Sequence, residues 1–111
     1  TIGWFQTLPE SVISTQTATD IVRERKRALK FLGTDGSEIN WDLISLALHS
    51  KANTVIIPLQ DILGLGTNAR MNIPGTIEGN WQWRFEEAQL TNEIISRMKK
   101  LTKDANRIKR K

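Results

Sequence analysis

The sequence predicts an α/β fold, mostly helical with one strand or few, and three observations carry that expectation. Three stretches place apolar side chains at helical spacing. One short run, Thr54-Val55-Ile56-Ile57, has no polar alternation, the pattern of a strand covered on both faces in a parallel sheet. Behind it runs a loop rich in Gly, Asn and Trp up to Arg84, the way α/β enzymes present a site at the carboxyl end of a strand. One strand cannot make a sheet, and its two edges would keep unpaired backbone groups. Amphipathic helices likewise have to bury their faces against something. The sequence therefore reads as a piece of a larger α/β protein.

In chain order, Ile2-Gly3-Trp4-Phe5 begins abruptly with large aromatics, and residues 8–19 read as a loop or short helical turn around Pro9. A helix is expected over 20–32. Thr17 or Thr19 can cap it, Asp20 suits its positive end, and Ile21, Val22, Ala28, Leu29 and Leu32 share one face. Gly33 can take the left-handed conformation that ends it, and residues 34–37 turn. Asn40 is expected to cap a second helix over 41–49, with Leu43, Ile44, Ala47 and Leu48 as its apolar stripe. The strand, over about 54–58, stops at Pro58, whose fixed φ and missing donor suit a strand end. After the loop, Thr91 caps a last helix over about 92–106, striped by Ile94, Ile95, Met98, Leu101 and Ala105.

Length and composition bound the function. A chain of 111 residues is one domain at most and buries a modest core. Its hydrophobic content of 39% and charged content of 25% are ordinary for a globular protein. The absence of Cys excludes disulfides and thiolate metal sites. No apolar run approaches the ~18 residues of a membrane span, so no membrane partner is expected. The net charge of +4 gathers in two clusters. Arg23, Arg25, Lys26, Arg27 and Lys30 oppose only Glu24, and eight basic residues from Arg97 to Lys111 oppose only Asp104. Such clusters are either the solvated faces of amphipathic helices with a basic tail, or phosphate-binding surfaces of a small nucleic-acid-binding module. The first reading is preferred, and no nucleic-acid partner is expected.

The candidates for chemistry are few. His49, the single His, ends a helix, where it meets the dipole more readily than it serves as a base. Gly64 and Gly66 resemble half of a phosphate-cradling loop, but no Lys-Ser or Lys-Thr follows them. No cofactor is expected. Asp61 lies just beyond the strand, where a barrel enzyme places catalytic groups; as a buried or capping residue it starts the turn at 62–65, and that reading is preferred. Glu78, Glu86 and Glu87 offer no paired geometry. Trp81 and Trp83 suit either sugar stacking or a core plug, with at least one packed inward. Asn72, beside Arg70 and Met71, can serve a sugar hydroxyl pair as donor and acceptor, or stabilise a turn next to Ile73-Pro74-Gly75.

The loop resembles the amylomaltase family, the 4-α-glucanotransferases, including plastid disproportionating enzymes. The resemblance rests on Pro58-Leu59-Gln60-Asp61-Ile62-Leu63-Gly64-Leu65-Gly66, Ala69-Arg70-Met71-Asn72, Pro74-Gly75-Thr76, Gly79-Asn80-Trp81 and Trp83-Arg84. Gly3-Trp4, Asn40-Trp41 and Leu90-Thr91 match more loosely, so it spans essentially residues 1–111. It implies the C-terminal segment of a (β/α)8 TIM barrel, with 54–58 as the last strand, 92–106 as the closing helix and the remainder of the barrel upstream. It also implies a retaining double displacement, in which an Asp attacks, a Glu acts as acid then base, and a second Asp stabilises the transition state. All three carboxylates are expected upstream of Thr1, the last in a Thr-His-Asp-Asn segment before Gly3-Trp4, so this chain holds no catalytic residue. The resemblance places Asn72, Pro74 and Arg70 at a rim that binds maltooligosaccharide or starch-derived glucan. The compartment it implies is the cytoplasm, or the plastid stroma in a plant or alga.

Overall fold

The computed structural model describes Phe5 and residues 18–73 and 75–108. The Gly3-Trp4 opening, the loop leading to Thr17, the Thr17 cap, Pro74 and the end of the basic tail lie outside the described residues. The first helix, α1, is Ala18–Leu32, starting two residues before the expected Asp20. Ile21 is buried and Ala28, Leu29 and Leu32 are half-buried, while Arg23, Lys26, Arg27 and Lys30 face solvent; of the expected face Val22 alone is exposed, and Thr19, lying inside the helix, is not its cap. Gly33 ends α1 at φ 68°, and the amides of Gly33 and Thr34 both donate to the Leu29 carbonyl.

The second helix, α2, is Ile39–Leu48, and here one expectation fails. Asn40 does not cap it. The cap position falls on Glu38, whose side chain makes no capping bond, and Asn40 lies inside the first turn. Its amide instead donates to the Asp61 carbonyl at 2.9 Å, tying α2 to the start of the long loop. A carboxamide on the first turn faces either its own helix or a neighbouring carbonyl, and sequence spacing does not distinguish them. His49 closes α2, with Nδ1 donating to the Ser45 carbonyl at 2.8 Å; that acceptor requires the proton on Nδ1 and matches the structural reading of this residue.

The expected strand is not formed. Residues 54–58 carry no strand, and no strand occurs among the described residues. The reason is physical: a strand exists only through hydrogen bonds to a neighbour, and no neighbour is present. The side chains still alternate, with Val55 and Ile57 half-buried and Ile56 89% exposed, so one face is partly covered and the other is bare.

Pro58 leads in extended conformation into a one-turn helix, α3, Leu59–Ile62. It is closed by a Schellman pattern: Leu65 N–H donates to the Gln60 carbonyl, Gly64 N–H to that of Asp61, and Gly64 adopts φ 71°. The last helix, α4, is Asn92–Asp104, capped as expected by the Thr91 hydroxyl accepting from Ile94 N–H at 3.3 Å. Its stripe is only partly covered: Met98 and Leu101 are half-buried and Ile95 is exposed, and Ile94, Ile95 and Met98 line an open apolar groove of about 320 Å³ with Ile62, Leu90 and Ile108.

Two arginines hold α4 against α2. Arg97 pairs with Glu38 and lies over the Trp41 ring at 4.5 Å from its centroid. Arg107 donates to the carbonyls of Leu48, Ser50 and Ala52 at 2.6, 3.1 and 2.8 Å, satisfying the C-terminal end of α2 and the turn beyond it. A second Schellman pattern, with Asn106 at φ 57°, aims Arg107 back at that end. Ile21, Ile39, Ile44, Leu48 and Ala69 are the buried apolar residues, a small core between α1, α2 and the base of the long loop.

Candidate functional site: the clasped loop

The long loop is built from its base upward. Gln60, on α3, donates through Nε2 to the Ala69 carbonyl at 3.1 Å, and Ala69 is buried at the end of a 3-10 turn, Thr67–Ala69. This fixes where the chain leaves the core. Arg70 then runs extended and exposed, and Met71 is half-buried as the inner anchor.

From Met71 the chain makes an excursion that closes on itself. Trp81 N–H donates to the Met71 carbonyl at its neck. One bond further out, Asn80 Oδ1 accepts from Ile73 N–H at 2.9 Å, while Asn80 Nδ2 donates to the Thr76 carbonyl at 3.1 Å. The Thr76 hydroxyl donates to the Ile73 carbonyl at 2.7 Å. Asn80 thus ties both arms with a single carboxamide, using donor and acceptor at once. Arg84 braces the exit, its Nη1 donating to the carbonyls of Trp81 and Trp83 at 3.0 and 2.9 Å.

Asn72 lies between the two cross-loop ties. Its side chain is exposed and makes no hydrogen bond among the described residues, so the turn-stabilising alternative finds no support there. That leaves a donor and an acceptor facing outward on a backbone fixed from both sides. Arg70 is also exposed, on the same arm. Pro74, the third expected rim residue, lies outside the described residues.

The carboxylates have structural surroundings. Asp61 is 6% exposed within α3, inside the turn that Asn40 and Gly64 complete. Glu86 forms a capping box with Gln89 around the 3-10 turn Glu87–Gln89. Glu38 is held below its usual carboxylate range by its hydrogen bond to Arg97, and Arg97 is raised in turn by Glu38. No group of three or more His, Cys, Asp or Glu suited to a metal occurs among the described residues.

Sequence reading missed Asn80 as a clasp, although an Asn after Gly in a loop is a turn former. It also missed the arginines of the basic tail as internal donors, because charge counting does not show which guanidinium reaches a carbonyl.

The family profile described as 4-alpha-glucanotransferase matches residues 1–91, and the chain belongs to that family. It is 40% identical to the 4-alpha-glucanotransferase of Synechocystis over 103 residues, 92% of this chain and 18% of that protein. It is 45% identical to the chloroplastic/amyloplastic 4-alpha-glucanotransferase of Arabidopsis thaliana over 84 residues, 75% of this chain and 12% of that protein. It is 42% identical to the 4-alpha-glucanotransferase of Aquifex aeolicus over 87 residues, 77% of this chain and 16% of that protein. The chain spans less than a fifth of the length of these relatives. No solved structure matches it.

Proposed function

We propose that this chain is the C-terminal part of a retaining 4-α-glucanotransferase, which passes a 1,4-α-glucan segment to the 4-hydroxyl of an acceptor glucan. Its role there is to bind and orient the glucan, not to cleave it. The observation that carries the reading is the clasped loop at 71–81: its ties fix the backbone on both sides of Asn72, whose exposed carboxamide can serve a pair of sugar hydroxyls. Fixing that backbone beforehand lowers the ordering cost of glucan binding. Arg70, exposed on the same arm, is the second candidate for glucan contact, and Pro74 is carried over from the family resemblance alone. In the complete barrel, residues 54–58, which form no strand in this chain, would pair as the last strand and α4 would close the ring, so that the bare face at Ile56 finds its cover upstream.

The bond-making groups lie upstream. A retaining transfer needs a nucleophilic carboxylate and an acid/base facing one glycosidic oxygen, about 5–5.5 Å apart. Neither Asp61, enclosed in its turn, nor Glu86, engaged in its capping box, is presented for that work. The substrate class is maltooligosaccharide or starch-derived glucan. The compartment is the cytoplasm or, in a plant or alga, the plastid stroma.

The test is Asn72→Ala in the full-length polypeptide carrying this chain, assayed by disproportionation of maltoheptaose. Losing one polar tie to the sugar is expected to lower kcat/KM by about tenfold, with the melting temperature unchanged. An unchanged kcat/KM would remove Asn72 from the rim.

A further inference from the structure

Trp81 is the residue of the loop that the binding role of Asn72 does not explain. It has φ 64° and its side chain is 64% exposed. Positive φ is an outlier for a bulky residue, so it persists only where the surroundings impose it. Here they do. Trp81 N–H is held by the Met71 carbonyl, its own carbonyl by Arg84, and the preceding residue is the clasp Asn80. The strain does not serve burial, since the indole faces outward while Trp83, two residues on, is half-buried and supplies the inward ring.

The tie from Trp81 to Met71 sets Trp81 across the neck of the loop one residue from Asn72. A large aromatic face and an open carboxamide then share one end of a rigid loop. That pairing suits a glucosyl ring, which presents axial C–H groups on its faces and a hydroxyl pair on its rim. Aromatic faces attract such hydrogens through their negative quadrupole, and carboxamides bind hydroxyl pairs.

We infer that Trp81 is a stacking platform for a glucosyl unit of the bound glucan, the same unit or the neighbour of the one that Asn72 binds. The inference rests on the glucan-transfer reading above and adds a specificity-determining residue to it. Because its attraction is to the sugar face, the platform discriminates for chains long enough to reach the rim. Its loss is therefore felt by long glucans more than by short ones.

The experiment compares the wild type, Trp81→Phe and Trp81→Ala in the full-length polypeptide, with maltotriose and maltoheptaose as substrates. Trp81→Ala is expected to raise KM for maltoheptaose about three- to tenfold, with less effect on maltotriose and a kcat within about twofold. Trp81→Phe keeps a ring and is expected to restore most of the KM while losing part of the fluorescence change that maltoheptaose induces. Equal KM values in all three proteins would overturn the platform while leaving the transferase reading intact. A fall in melting temperature that accounts for the loss, unrescued by Phe in KM, would show a packing role and overturn it too. Failure of the wild type to transfer any glucan would overturn the functional reading beneath it, a result visible without either variant.

Discussion

Asn80, Gly64 and Asn40 show how far a single residue type carries its own explanation. Asn80 uses both ends of its amide to close the loop at 71–81. Asn80→Ala removes the acceptor for Ile73 N–H and the donor to Thr76 together, and is expected to cost about 1–2 kcal/mol of local order. Hydrogen exchange should speed at the Ile73 and Trp81 amides, with α1 unaffected. Gly64 owes its place to conformation, not to phosphate. A methyl group built there meets only Asn40 Nδ2 at 3.6 Å, an ordinary contact, but φ 71° is unfavourable for any other residue. Gly64→Ala is therefore expected to destabilise by about 1 kcal/mol in urea melts of the full-length polypeptide. The Thr91 cap and the Gly33 stop were legible because each acts on its own helix end. Asn40 was not, because its acceptor lies 21 residues away at Asp61, and local pattern contains no such partner. The left-handed Trp81 was equally hidden, since it is imposed by contacts from both sides and not preferred by the residue.

Among the elements, the helices were readable and the strand was not. Periodicity places α1, α2 and α4 to within about two residues, because each carries one apolar face, which α1 and α2 turn to the small core and α4 turns to the open groove. The apolar run at 54–57 has the composition of a strand but lacks the neighbour that would make it one. The docking of α4 rests on two arginines that charge counting had assigned to a solvated face. Arg107→Ala leaves the carbonyls of Leu48, Ser50 and Ala52 to water and should cost ~1–2 kcal/mol, read as a lower melting temperature. The Glu38–Arg97 pair gives a pH dependence whose sign is fixed. Glu38 is depressed in the folded state, so its contribution is present above the ordinary Glu range and is lost as pH falls through the depressed value. Both side chains are substantially exposed, at 42% for Arg97 and 55% for Glu38, so solvent screening keeps the effect small. Protection of the α4 amides is expected to decline in acid, and Glu38→Gln to remove the part of that decline due to this pair.

At the scale of the whole molecule, the chain exposes 8941 Å², against roughly 6,200 Å² for a compact protein of its mass. Apolar surface lies open at Ile56, on the bare face of the extended segment, and in the groove along α4. A fold that leaves such surface open is expected to be marginal by itself. Residues 1–111 alone should melt without a sharp two-state transition. On the proposed function, this chain binds and orients glucan while the bond-breaking carboxylates belong to the upstream barrel. The most direct measurement is glucose release from maltotriose, followed for residues 1–111 alone and for the full-length polypeptide carrying them. Transfer by the full-length polypeptide, with none from residues 1–111, is the result expected. Turnover by residues 1–111 alone, or its absence from both, would contradict the claim.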